Sequence, residues 1–520
     1  MLLLLLRNQT MRSFMFENEL SHEKVKQIHQ PREKAKRSQA QPQAKGLSTT
    51  LSEYVPSESK PWNRKRVFHV LKRLQYGANH EDVEALLAQS PTEFIDQMID
   101  TAIVAPMPDP PSWINVVPPW NQGEEAILQY FNDNYFRYIG YQSDWLDLMK
   151  EHPFREKMVL FWHNHFVTEI GKYEHAPMAY RYVTKLREHA LGNFKEFAYD
   201  IGLEDAMLFY LDGIENHAGN PNENYARELL ELFTMGIGNY TEDDIREMAR
   251  ALTGHWFNWE TLRAVYEPQL YDSSEKTFFG RTGTFNYENT IDIIFEERET
   301  EIANHICTKL YKYFVHDIPN QTIIDGLAQT FIANNLDIVP VIRQLLKSEH
   351  FFDDEVLGSK IKSPVDYLMG MQRETGSDVV GNIKEWQSWW LYQLGQFLLS
   401  PINVAGWPGY RAWISTTTLP ERWDMTLANI WYEDDDYSID VRAIANAMSN
   451  PNNPQQLAAD LAEYVISVDL PQQDQDELTS VLLAGMPDYE WHMNLGDDAI
   501  IWRLKNFLAH LRQLPEYQLM

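Results

Sequence analysis

Apolar residues recur at helical spacing along most of the chain from residue 63 onward. In "NRKRVFHVLKRLQYG", Val67, Val70, Leu71 and Leu74 fall on one face and Gly77 follows as a stop. Asn79 then caps a second helix, and Ser90 or Pro91 opens a third. The same periodicity predicts helices over 123–151, 153–170, 175–190, 193–201, 221–235 and 241–254. It resumes from 298 to about 350, at 364–374, at 381–399 and through the last hundred residues. The Pro-rich "APMPDPPSWINVVPPW" (105–120) cannot be helical and reads as an extended surface strap. Two long stretches break the pattern. Residues 255–297 carry Gly280, Gly283 and the alternating "TGTFNYENTIDIIF", which predicts one or two short strands or a large loop, and 400–423 is irregular. The expected fold is mostly α: a multi-helix globular body with two long irregular segments and one small hairpin.

Residues 20–60 are polar and lack periodic apolar positions, so 1–60 is expected to be a disordered basic leader. Residues 61–520 then form one large helical domain, with a subdivision into 61–350 and 351–520 left open. The N-terminal "MLLLLLRNQT" has too short an apolar stretch for a signal peptide, which needs about 7–15 residues. No run approaches the roughly 20 apolar residues of a membrane span. The sequence as it stands therefore reads as soluble and cytoplasmic, with export expected only from a different start.

Charge narrows the partners. The net charge is −30, yet residues 1–66 hold 13 Lys and Arg against 6 Asp and Glu, leaving 32 against 69 for the remainder. So acidic a body repels phosphate backbones, which argues against nucleic acid. The single cysteine, Cys307, excludes an internal disulfide framework and a thiolate metal cage, and its spacing makes it a core residue.

Candidate chemistry lies in four segments. "FWHNHFVTEI" (161–170) sets His163 and His165 two apart; on an unbroken helix they point about 200° apart and cannot share an ion. His165 does share a face with Glu169, four residues on. That spacing suits a metal pair, a carboxylate-oriented acid/base, or a histidine bonded within an aromatic core. In "GNPNENYARELLELFTMGIGNYTEDDIREMARALTG", Asn220 is the expected N-cap with Pro221 after it, Gly236 a stop, and Thr241 with Asp244 a capping box. Asn224, Glu228 and Glu231 form a polar row beside Arg227 that either lines a polar cavity or faces water. Asp243, Glu247 and Arg250 form a second row, explained by ion pairing. Asp272 and Lys276 in "YDSSEKTFFGRTGTFN" lie on a loop able to reach over a pocket or form a plain turn. The Trp-rich "NVAGWPGYRAWISTTTLPER" either stacks on a ligand or locks a loop onto helices.

These segments resemble one family. "FWHNHFVTE", "HALGNFKEFA", "AMLFYLDG", "PNENYARELLELFTMGIGNYTEDDIREMARALTG", "KTFFGRTGTF", "KLYKYFV", "NVAGWPGYRAW" and "LPEYQLM" occur in the order found in a widespread bacterial family catalogued as domain of unknown function 1800. The resemblance covers about residues 65–520 and implies the fold, but no activity. It implies a sulfatase-like family, often encoded alongside, as a protein partner. Many members carry export signals, whereas this chain shows none. The family usually has a histidine where this chain has Tyr271, just before Asp272.

The expected site brings together His163, His165 and Glu169 with Asn224, Arg227, Glu228 and Glu231, with Asp272 and Lys276 at its mouth. Catalytic candidates are His163, His165, Glu228, Glu231, Arg227, Asp272 and Lys276. A divalent metal would take His165, Glu169, Glu228 and Glu231. The function stays open between metal-assisted or acid/base hydrolysis and a non-catalytic helical scaffold. The latter would bind partners through the Trp-rich loop or the acidic "YEDDDY" (432–437). Paired E-x-x-H motifs of di-iron bundles are absent.

Overall fold

The computed structural model describes residues 48–377, 384–433 and 437–520, so most of the expected leader (1–47) and Asp434, Asp435 and Asp436 of the acidic run lie outside the described residues. Residues 48–60 are not disordered. Tyr54 is buried and stacks on Phe352 at 4.2 Å, and Lys60 pairs with Glu349 and Asp353 at 3.0 and 2.6 Å. One buried aromatic ring and a two-carboxylate anchor offset the ordering cost that the polar composition suggested was unmet.

The first helices keep their sequence signals. α1 (Arg64–Gln75) ends at Tyr76 in a left-handed conformation just before Gly77. α2 (His80–Leu87) is closed by an Asn79–Asp82 capping box, and α3 (Pro91–Val104) by Ser90 with Pro91 in its first turn. The strap follows. Arg155 donates to Ala105 O and Pro106 O, and Trp113 packs edge-on against Tyr141 and Tyr180.

α4 (Glu124–Glu151), α5 (Pro153–His163), the short α6 (Ile170–Tyr173) and α7 (Ala176–His189) follow, with α4, α5 and α6 each packed against α7. A buried ion pair joins α5 to α7: Arg187 donates Nε and Nη2 to the two carboxylate oxygens of Glu156, both at 2.8 Å. Trp145 of α4 donates to the same carboxylate at 2.9 Å. α8 (Phe194–Gly202) and α9 (Asp205–Tyr210) lead to α10 (Asn224–Glu228), which runs on as a π-helical turn over Leu229–Thr234. α11 (Glu242–Ala251) starts at the expected Thr241–Asp244 capping box. Asp244 also holds Phe279 N at 2.8 Å, so the cap is tied to the loop that follows. Thr241→Ala is expected to cost about 1 kcal/mol, read as a lower urea midpoint.

Two antiparallel hairpins occupy 255–283 where one was expected: β1 (His255–Asn258) with β2 (Arg263–Tyr266), and β3 (Lys276–Phe278) with β4 (Arg281–Gly283). β1 and β2 lie where the sequence shows no clear alternation. The region from 298 to 350 is three helices after α12 (Tyr287–Glu297): α13 (Glu299–Phe314), α14 (Gln321–Ala333) and α15 (Ile338–Lys347). The C-terminal part adds α16 (Pro364–Thr375), α17 (Lys384–Gln393), α18 (Thr418–Trp431), α19 (Val441–Asn446), α20 (Pro454–Val465), α21 (Gln472–Leu483) and α22 (Asp497–Gln513). Residues 48–520 cluster as one unit, and the fold is mostly α. Among the described residues no helix is long and apolar enough to cross a membrane.

Candidate functional site

The helix expected over 153–170 stops at His163. Asn164 caps it and turns its side chain to a distant loop, accepting Trp407 N at 2.6 Å. Gly406 has a φ of 86°, and a Cβ there would collide with Asn164 Oδ1, so this close approach needs glycine. Beyond the turn the chain is extended at Glu169. His165 and Glu169 therefore do not share a helical face, and the spacing argument for a joint metal or acid/base pair is overturned.

The two imidazoles have different settings. His163 is fully buried between Trp145 and Trp407, each ring 5.4 Å away, and neither nitrogen has a partner among the described residues. Burial pushes its pKa down to about 3, so it is a neutral member of an aromatic stack. His165 is also buried, but both nitrogens are used. Nε2 donates to Phe233 O at 3.0 Å, and Nδ1 accepts from Lys309 Nζ at 3.0 Å. Burial, then the charges of Lys309 and His305, drive its pKa well down.

What His165 meets on the acidic helix is its backbone. In the π turn Met235 N reaches Leu230 O, and Thr234 Oγ1 takes Leu229 O. The carbonyls of Leu232 and Phe233 are left over at this end. Lys309 and His305 both donate to Leu232 O at 3.1 Å, and His165 takes Phe233 O. His305 and Lys309 were missed from the sequence, although their i,i+4 spacing on α13 was a usable signal. Burial lowers Lys309 to about 8.

The carboxylates face elsewhere. Glu231 accepts from Tyr240 OH at 2.5 Å, and Arg227 pairs outward with Glu242 at 2.8 Å and Glu223 at 3.2 Å. Asn224 donates to Asp212 at 2.9 Å, and Lys172 lies 3.4 Å from the same carboxylate. The helix opens at Asn224 with Glu223 in the cap position, not at Asn220, because 216–223 forms a turn in which Asn216 Oδ1 takes Asn222 N.

Glu228 is half-buried and makes no hydrogen bond or ion pair among the described residues. Burial first, then the like charge of Glu231, raises its pKa, while Arg227 opposes. Tyr210, at the end of α9, lies within electrostatic reach of both Glu228 and Glu169. Burial and then these two carboxylates, Glu169 first, push its hydroxyl up to about 12. Glu169 itself takes one long bond, from Ser400 Oγ at 3.4 Å, and a Cβ at Gly171 would sit 3.1 Å from its Oε1. Tyr210 is thus the group on which both Glu169 and Glu228 act, and among the described residues neither Tyr210 nor Glu228 has a hydrogen-bond partner. Tyr210 lies in the "AMLFYLDG" block but carried no chemistry in the sequence reading.

Asp272 and Lys276 form a separate network. Asp272 pairs with Arg250 Nε at 2.9 Å. Burial raises its pKa, but bonds from Ser274 and Arg250 outweigh this and hold it near 2. Lys276 is buried over the Tyr271 ring at 4.7 Å and donates to Asp272 O and Ser274 O. None of these contacts reaches Glu228. Trp407 and Trp413 are buried, and the Trp-rich loop locks onto helices rather than offering a stacking platform.

Among the described residues no group of three or more His, Cys, Asp or Glu side chains is placed to hold a metal ion. The expected set also fails on chemistry, since a metal at His165 would need a nitrogen already given to Phe233 O or Lys309. A family described as protein of unknown function (DUF1800) matches residues 69–519. No curated protein and no solved structure matches the chain.

Proposed function

We propose that this chain, which belongs to the DUF1800 family, carries out metal-independent acid–base chemistry of the hydrolytic class where Glu228, Tyr210 and Glu169 meet. One observation carries the reading: Glu228 is a half-buried carboxyl with a raised pKa and no hydrogen-bond donor among the described residues, within electrostatic reach of a tyrosine that senses a second carboxylate. A carboxyl whose pKa is raised suits a general acid. Glu228 would deliver the proton, Glu169 is the second carboxylate acting on Tyr210, and Tyr210 OH orients the reacting group. A non-catalytic scaffold is the second reading, favoured by the use of His165, His305 and Lys309 as backbone caps. A sulfatase-like protein stays the partner class that the family implies.

The test is a screen of purified protein against carboxyl ester, phosphoester and glycoside panels, with and without EDTA. The acid–base reading expects an EDTA-resistant activity that disappears in Glu228→Gln and falls in Tyr210→Phe. An activity untouched by both exchanges would remove the site.

A further inference from the structure

A cavity of about 370 Å3 opens between the Pro-rich strap and the β1–β2 turn. Its volume lies in the range of small-molecule sites. Ile114, Val116, Pro177 and Leu262 supply apolar lining, and Arg181 and Arg263 supply two guanidiniums. Both are aimed by one buried carboxylate. Asp205 Oδ2 takes Arg181 Nε at 3.1 Å and Arg263 Nη1 at 3.1 Å, and its Oδ1 takes Ala264 N at 2.7 Å. Arg181 also donates Nη2 to Leu262 O at 2.8 Å, holding this buried residue at a φ of 52°. A leucine keeps such a conformation only where its surroundings over-determine it.

Bond accounting leaves donors over. Arg181 Nη1 and Arg263 Nε and Nη2 make no hydrogen bond among the described residues, and the two cations share one paired carboxylate. Pre-aimed forks of this kind match oxyanions. The strongly negative net charge does not decide against an anion. Surface carboxylates beyond a Debye length of about 8 Å are largely screened, whereas the guanidiniums would touch the ligand.

We propose that this cavity binds a small organic anion, with its carboxylate or phosphate head on Arg181 and Arg263 and its apolar part against Ile114, Val116 and Leu262. Glu260 also lines the cavity and opposes the ligand's charge.

Calorimetric titration of the full chain with benzoate, phenyl phosphate and inorganic phosphate tests this. Benzoate or phenyl phosphate is expected to bind more tightly than inorganic phosphate. Which of the two binds better identifies the head group. Arg263→Gln, at a half-exposed position, should weaken binding about tenfold with an unchanged melting temperature, and Glu260→Gln should tighten it about twofold. Three results would each overturn the proposal: no heat from either organic anion at tens of millimolar, equal binding by Arg263→Gln, or inorganic phosphate binding as well as benzoate and phenyl phosphate.

Discussion

Glu228→Gln is expected to lower turnover by about 10²- to 10⁴-fold, the usual contribution of a positioned acid or base. The same exchange should stabilise the fold at alkaline pH. Burial and Glu231 raise the folded pKa of Glu228 above the ordinary carboxyl value of 4.5. Between the unfolded and folded values the native state binds more protons, so wild-type stability declines as pH rises through that window. Above it the full penalty of a charged, half-buried carboxylate is present; below the unfolded value it vanishes. Glutamine removes the penalty without changing the shape. Its melting temperature should exceed wild type by on the order of 1 °C at pH 8 and equal it at pH 4. Thermal melts across pH beside rate measurements decide the matter: a variant that is less stable at pH 8, or keeps wild-type turnover, contradicts the assignment.

His165→Ala should cost about 3–5 kcal/mol, far more than any exchange at His163. The larger figure follows from two losses at once. A buried ring disappears from among Phe161, Trp162, Phe166 and Phe233, and the carbonyl of Phe233 loses the donor that terminates the π turn. Lys309 also loses an acceptor in a site where burial already disfavours its charge. His163→Phe, by contrast, removes two buried nitrogens without partners and keeps the stack on Trp407, so it should change stability by less than about 1 kcal/mol. Urea midpoints of the two variants check the contrast. Equal losses would mean that the His165 bonds do not matter to the fold.

Much of the fold was legible because its signals are local. Asn79 with Asp82, Ser90 with Pro91, and Thr241 with Asp244 satisfy helix ends within three residues, and the periodic apolar rows need no distant partner. The misread boundaries share one cause. α5 stops at His163 because Asn164 finds the backbone of Trp407, 243 residues away, and Asn220 lost its cap role to a turn held by Asn216.

The candidate site divides along the same line. The sequence placed Glu228 and Glu231 on one polar row and marked the His163–Glu169 block as unusual, since composition and spacing reveal which residues occupy a face. Which neighbour each side chain meets depends on how separate elements pack, and no local rule carries that. Packing gave His165 to a carbonyl and Lys309, Glu231 to Tyr240, and left Glu228 and Glu169 each within electrostatic reach of Tyr210. The sequence by itself therefore determined the helical architecture and the supply of chemical groups. The tertiary structure alone decided which imidazole became a backbone cap and which carboxyl kept its proton-binding capacity, because burial and partner geometry set both.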